Sequence, residues 1–263
     1  MTFNVAIVIA TMILSTTLLI TMVVVLRRRT AAREEDMRQQ ALMRGWTFQY
    51  GREGAFRVQR WTGTTDGVGW IAESVESNAG GTHGRAAARG RRVTRWRTAP
   101  SWTPPKDRAL AGPIVLMGVP DGKRTPMLAA APQGDGWAAK LAQKAVGFAL
   151  DRAIENYFGK EACTGVNAGA MQLVKDDSIR GYAVMAGDPD AARRWLFQGL
   201  SFAVTSATAS PSSILSEKDR PWILLSTNGV ALARLERASS AEHVERFVRA
   251  GVALARGLTA GRQ

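Results

Sequence analysis

From Phe3 to Leu26 the chain carries no charged residue. The run FNVAIVIATMILSTTLLITMVVVL is dominated by Val, Ile, Leu, Met and Ala. As a helix rising about 1.5 Å per residue it reaches roughly 36 Å, against a bilayer hydrocarbon core of about 30 Å. Its polar members Thr11, Ser15, Thr16 and Thr17 carry hydroxyls that can bond back onto their own helix. The run therefore predicts a transmembrane helix over residues 1–26, in contact with the lipid bilayer through residues 3–26. A cleaved signal peptide is the competing reading. It would want a basic leading region, an apolar core of about 7–15 residues and a small-x-small cleavage site. Here no Lys or Arg precedes the run, the run is longer, and it ends in Val-Val-Val-Leu-Arg-Arg-Arg.

Orientation follows from Arg27, Arg28, Arg29 and Arg33, which lie directly after the apolar run. The positive-inside rule places that side in the cytoplasm and the N-terminus outside. The arginines are topology determinants first, and could also contact anionic lipid head groups at about 1 kcal/mol each. The single cysteine, Cys163, cannot form an internal disulfide and suits a reducing compartment. The Arg-rich, Ala-rich style points to a bacterial inner (cytoplasmic) membrane.

Residues 27–45 lack Gly and Pro until Gly45 and are mostly good helix formers. They read as a juxtamembrane helical linker. The remainder, 46–263, has the apolar content to bury a core. The whole chain of 263 residues is 46% hydrophobic and 22% charged, which excludes wholesale disorder.

This remainder predicts an α+β domain: a largely antiparallel sheet with about three packed helices. Strand alternation covers 56–62 and 68–75, joined at Asp66-Gly67, a strong hairpin signal. The Gly-rich stretch 76–91 reads as a mobile loop, and strand character returns at 92–98. Further strands are expected at 113–119, closed by Asp121-Gly122, near 171–174 and at 181–186. A helix over 136–158 has rows at Leu141, Ala145, Ala149, Ala153 and Val146, Leu150, Ile154, Phe158. Asp188-Pro189 starts another, carrying Trp195, Leu196, Leu200 and Val204. Asn228-Gly229 predicts a two-residue hairpin between 222–227 and 230–235. Ser239-Ser-Ala-Glu242 has capping-box spacing, opening a final amphipathic helix with Val244, Phe247, Val248, Gly251, Val252, Ala255 and Leu258 on one face. A sub-boundary is expected near 120–136.

No catalytic, cofactor-binding or metal-ligating set emerges. His83 falls in the Gly-rich loop and His243 in the first turn of the last helix, and neither has ligands at metal-site spacing. Both read as ordinary surface residues. Cys163 has only Lys160 nearby to activate it, so it reads as a buried or inert thiol. Gly118-Val-Pro-Asp-Gly-Lys-Arg-Thr has the wrong spacing for a phosphate loop. Asp176-Asp177 reads as a turn, and Asp188-Pro-Asp190 as a helix cap.

The formal charge is +13, from 35 basic and 22 acidic residues. One segment concentrates it. Arg85, Arg89, Arg91, Arg92, Arg95 and Arg97 follow one another with no acid between, and Trp96 and Trp102 interleave. Arginine beside an aromatic suits docking on a partner's acidic surface or on anionic lipid. It also suits stacking on single-stranded nucleic acid, the least favoured of these for a tethered domain. A plain solvated positive loop is the alternative. The tryptophans, eight in all, read as core and strand faces.

Several segments together carry a likeness: the apolar span with its Arg cluster, Arg44-Gly-Trp46, Gly63-Thr-Thr-Asp-Gly-Val-Gly-Trp70, and Gly181-Tyr-Ala-Val-Met-Ala-Gly-Asp-Pro-Asp-Ala-Ala-Arg-Arg-Trp-Leu196. With the hairpin-plus-helix ending, they resemble uncharacterised bacterial single-pass membrane proteins carrying a domain of unknown function. The resemblance implies architecture and anchoring, and lends no activity and no site residues. The expectation is a membrane-anchored, non-catalytic binding or scaffold protein, an accessory or docking subunit with a protein partner in the membrane and no cofactor. The alternatives are a membrane-bound enzyme acting on a lipid or envelope intermediate, and capture of anionic lipid or nucleic acid by residues 85–97.

Overall fold

The computed structural model describes residues 2–77, 92–102, 112–119, 137–174, 179, 181–196, 200, 203–204, 207, 214, 220–238 and 240–260. The side chains of 1–11, 13, 77, 137–146, 168 and 260 are not among them. The Gly-rich loop with His83, Arg85, Arg89 and Arg91 lies outside the described residues, as do Asp121-Gly122, Asp176-Asp177 and the expected sub-boundary at 120–136.

The chain divides into two compact units, Met1–Phe48 and Gln49–Gln263. The first is dominated by one helix, α1 (Thr2–Met43). The Ser15 and Thr16 hydroxyls donate back to the Met12 carbonyl at 3.0 and 2.7 Å, so their polarity is absorbed by the helix itself. Thr21 and Thr30 do the same to Thr17 and Leu26. The helix ends where the backbone N–H of Trp46 reaches the Ala41 carbonyl and that of Gly45 reaches Leu42. That pattern is a Schellman close, with Gly45 supplying the left-handed residue it needs (φ 72°). The Arg44 guanidinium lies 5.7 Å over the Trp46 ring. Among the described residues no helix is long and apolar enough to cross a membrane.

The second unit is α+β. Among the described residues its sheet has nine strands: β1 (Thr47–Glu53, belonging to this unit from Gln49), β2 (Phe56–Thr65), β3 (Val68–Ser77), β4 (Arg92–Thr98), β5 (Ile114–Gly118), β6 (Gln172–Val174), β7 (Tyr182–Ala186), β8 (Trp222–Ser226) and β9 (Gly229–Arg234). Their order is β1-β2-β3-β4-β9-β8-β5-β7-β6. The pairings from β2 through to β6 are all antiparallel. Among the described residues three α-helices accompany it: α2 (Trp137–Phe158), α3 (Pro189–Trp195) and α4 (Ala241–Ala260).

The hairpins follow local chemistry. Asp66 and Gly67 both take positive φ, 49° and 78°, between the paired Thr65 and Val68. A primed two-residue turn requires this. At the second hairpin Ser226 pairs with Gly229, so Thr227 and Asn228 form the turn, not Asn228-Gly229. Gly229 is instead needed for close approach. A Cβ there would sit 2.1 Å from Thr98 Oγ1, which accepts the Val230 N–H at 3.2 Å.

The alternation of each strand splits the core between the two faces. On one face Val93, Val115, Met117, Met185, Leu224, Ala231 and Ala233 pack against Leu150, Ile154 and Phe158 of α2. Tyr157 stacks on Trp222 with centroids 4.2 Å apart, which fixes α2 on the sheet. The other face carries Trp61, Trp70 and Trp96, all fully buried. Register places Trp61 and Trp96 on either side of Ala72. Here α4 packs with every residue of its expected apolar face buried, and Gly251 lies directly against the Trp96 ring. Asp188 caps α3 through the Asp190 and Ala191 N–H groups, and Trp195, Leu196, Leu200 and Val204 are all buried.

Because an added Cβ at position 251 would lie 2.4 Å from the Trp96 ring, Gly251→Ala forces the helix off the sheet. Overpacking of this kind costs about 1–3 kcal/mol. Thermal denaturation of the full chain should show a lowered midpoint for this variant.

Candidate functional site

On the α2 side of β2, β3 and β4 the sheet face turns from apolar to charged. Register sets Arg60 opposite Glu73, and Glu73 opposite Arg95. Three charged side chains on adjacent strands therefore stand in one row. Glu73 accepts from Arg60 Nε on one oxygen and from Arg95 Nε on the other, both at 2.6 Å. Its side chain is 5% exposed. Burial alone would push its carboxyl up, but the Arg95 charge and the Arg60 hydrogen bond outweigh that and hold it below the ordinary value. Arg60 in turn is held above its ordinary value, chiefly by the bond to Glu73.

Around this row lies an open cavity of about 730 Å³. Its wall is the C-terminal end of α2 and the turn that follows, and its apolar lining includes Phe56, Val58 and Phe158. Two contacts fix the turn. Asn228 Nδ2 donates to the Thr164 carbonyl at 2.8 Å, and Glu161 pairs with Arg97. Gly159, at φ 84°, ends α2 where Arg95 arrives; a Cβ there would lie 2.2 Å from Arg95 Nη1. The guanidinium thus occupies the space a side chain would take, at the helix end where a cation is favoured. At the rim Arg60 Nη2 meets Glu53 at 3.0 Å, and Arg152 meets Glu155 at 3.2 Å.

The basic segment predicted from sequence is divided by the sheet. Arg95 and Arg97 point into the cavity. Trp96, between them, points to the opposite face and is fully buried beneath α4, so it is core and offers no stacking surface. Arg92 shares the Trp96 side and pairs with Glu76 at 2.8 Å. Arg85, Arg89 and Arg91 lie outside the described residues. Of the juxtamembrane set, Arg27, Arg28, Arg29 and Arg33 lie exposed along α1. Glu73, Arg60 and Gly159 carry no sequence motif. What signal exists is an acid inside an otherwise apolar strand pattern at Val68–Val75.

The remaining candidates are quiet. The Cys163 thiol points at the Ile154 carbonyl, 3.6 Å away. Burial, aided by the Glu155 and Asp151 charges, pushes it up to about 12, as an inert thiol requires. His243 is not the ordinary surface residue expected. Its ring is largely buried, its Nε2 lies 2.9 Å from Glu236 Oε1, and it stacks near Phe247. Burial pushes the Glu236 carboxyl up, but the His243 hydrogen bond and charge, with Arg234, bring it below its ordinary value. Among the described residues no group of three or more His, Cys, Asp or Glu is placed to hold a metal ion.

No family model, curated protein or solved structure matches the chain.

Glu73→Gln leaves two guanidiniums facing a neutral amide at a buried site. Breaking a buried ion pair costs about 3–5 kcal/mol, so the denaturation midpoint should fall well below that of the parent. Since its folded value lies below the unfolded one, Glu73 stabilises fully above the unfolded carboxylate range, about 4.3. That stability is lost as pH falls through the folded value. Acid titration of stability should therefore be shallower in Glu73→Gln than in the parent.

Proposed function

We propose that the chain is a membrane-anchored binding module, an accessory or docking subunit whose second unit faces the cytoplasm from the inner membrane. The observation that carries this is α1. Residues 3–26 are without charge and lie in one continuous helix. Among the described residues from Met12 to Leu26 its large apolar side chains are exposed, Leu14 and Leu18 among the most. A helix that is apolar all round needs an apolar surrounding, either a protein core or a bilayer. Their exposure favours lipid or a partner helix within lipid as that surrounding. The hydroxyls of Ser15, Thr16 and Thr21 are bonded back to the helix, as lipid requires of polar groups. Arg27, Arg28 and Arg29 follow at once, and the positive-inside rule assigns their side to the cytoplasm.

The second unit's charged cavity suits recognition more than proton transfer. Glu73 is held ionised by two guanidiniums, and a carboxylate with a depressed value is a weak general base. Arginines with fixed orientation are suited to hold an anionic group or an acidic partner surface.

The test begins with fractionation. The chain should stay with membranes through alkaline carbonate and high salt, and release under either wash overturns the anchor. Replacing Leu14 and Leu18 by Arg should move it to the soluble fraction, since each arginine near a span's centre costs about 2.5–3.5 kcal/mol. Purification from native membranes in mild detergent should then bring down a stoichiometric membrane-protein partner. Recovery of the chain alone argues against a docking subunit.

A further inference from the structure

The cavity over β2–β4 is built from arginines whose hydrogen-bonding capacity is only partly used. Arg95 donates through Nε to Glu73, and among the described residues no acceptor meets its two terminal nitrogens. Its side chain is nonetheless only 20% exposed. Arg97, two residues along the same strand and also 20% exposed, has one partner among the described residues, Glu161. Arg60 gives Nε to Glu73 and Nη2 to Glu53, leaving Nη1 without an acceptor among the described residues.

These groups differ in how firmly they are held. Glu73 is buried and clamps the Nε edges of Arg60 and Arg95, which leaves their terminal nitrogens for the cavity. Glu53 and Glu161 are different. They are 56% and 71% exposed, and they cover Arg60 and Arg97 from the solvent side. Ion pairs so exposed are worth about 0–1 kcal/mol, so an incoming anion displaces them at little cost. The buried carboxylate sets the guanidiniums in place, and the exposed ones occupy the anion's position when it is absent.

We infer that this cavity binds a phosphate group through Arg95 and Arg97, with Arg60 beside them and Glu161 as the carboxylate it displaces. A tetrahedral oxyanion suits the site better than a carboxylate, because it offers acceptors in several directions to guanidiniums arriving from two strands. The cavity's volume, about 730 Å³, leaves room for the molecule that bears the phosphate. The apolar lining at Phe56, Val58 and Phe158 would meet its less polar part. The inference rests on the second unit being a binding module, and does not depend on α1 lying in a bilayer.

The experiment is calorimetric titration of inorganic phosphate into the full chain in uncharged detergent, with sodium chloride as control. Saturable phosphate binding is expected. Arg97→Gln should weaken it about tenfold, the scale of a lost charge-assisted hydrogen bond. Glu161→Gln should tighten it by about two- to fivefold, because the competing carboxylate is gone. A merely structural role for the pair predicts that both variants weaken binding or that neither changes it. Either result, or no saturable binding by about 10 mM phosphate, overturns the inference. Thermal melts confirm that each variant is folded. The source of the phosphate is read by repeating the titration in phosphatidylcholine nanodiscs with and without phosphatidic acid. A raised apparent Kd in the presence of phosphatidic acid assigns the site to a lipid head group, and an unchanged Kd assigns it to a soluble phosphate compound. A chain that leaves the membrane fraction yet binds phosphate sinks the anchor alone. A chain that stays in membranes without binding phosphate sinks the cavity alone.

Discussion

A carboxylate almost wholly removed from water is the constraint around which the central sheet is arranged. Taking an ion out of water costs several kcal/mol unless it is paired and hydrogen-bonded. Glu73 meets both conditions by occupying each oxygen with a different arginine. That solution dictates register. Arg60 and Arg95 must stand directly opposite Glu73 on the two flanking strands, and a one-residue slip of any one strand would turn its member of the trio to the other face. It also dictates the end of α2, since the Arg95 guanidinium fills the space where residue 159 would otherwise carry a side chain. A single buried charge thereby ties three strands and a helix terminus to one geometry.

The opposite face solves the usual problem by the usual means. Trp61, Trp70 and Trp96 supply the bulk, and α4 presents Gly251 so that its backbone comes down onto the Trp96 ring. On β4 the two solutions interleave residue by residue. Val93, Arg95 and Arg97 look toward α2, while Thr94, Trp96 and Thr98 look toward α4. A segment that reads in sequence as one Arg and Trp surface is, in the pleat, a charged cavity floor on one side and a hydrophobic core on the other.

This is also where legibility in the sequence ends. Elements held by local chemistry were readable from their own residues: the Asp66-Gly67 hairpin, the Asp188 cap, the apolar face of α4 and the last three turns of α2. The hairpin at residues 226–229 shows the limit of a local signal. Asn-Gly marks the turn region, but a contact from Thr98, far away in sequence, moves the glycine into the first paired position. The cavity was not readable at all, since its pairs join residues 13, 22 and 64 positions apart. Nothing in the segment around Arg95 announces Glu73. The same holds for His243, which a one-residue neighbourhood presents as a surface histidine and which Glu236 draws into a largely buried pair.

The choice of arginine in the cavity is itself part of the chemistry. A guanidinium has two edges, so Arg60 serves Glu73 with Nε and Glu53 with Nη2 at once. A lysine at the same place is a point charge on a flexible stem and cannot divide its donors between an inner and an outer partner in a fixed plane. With arginine, the buried acid holds one edge still while the other edge remains available and oriented. Pairing with Glu73 therefore does not exhaust these side chains; it pre-orients them, and the orientational entropy an anion would otherwise have to offset has already been lost in folding.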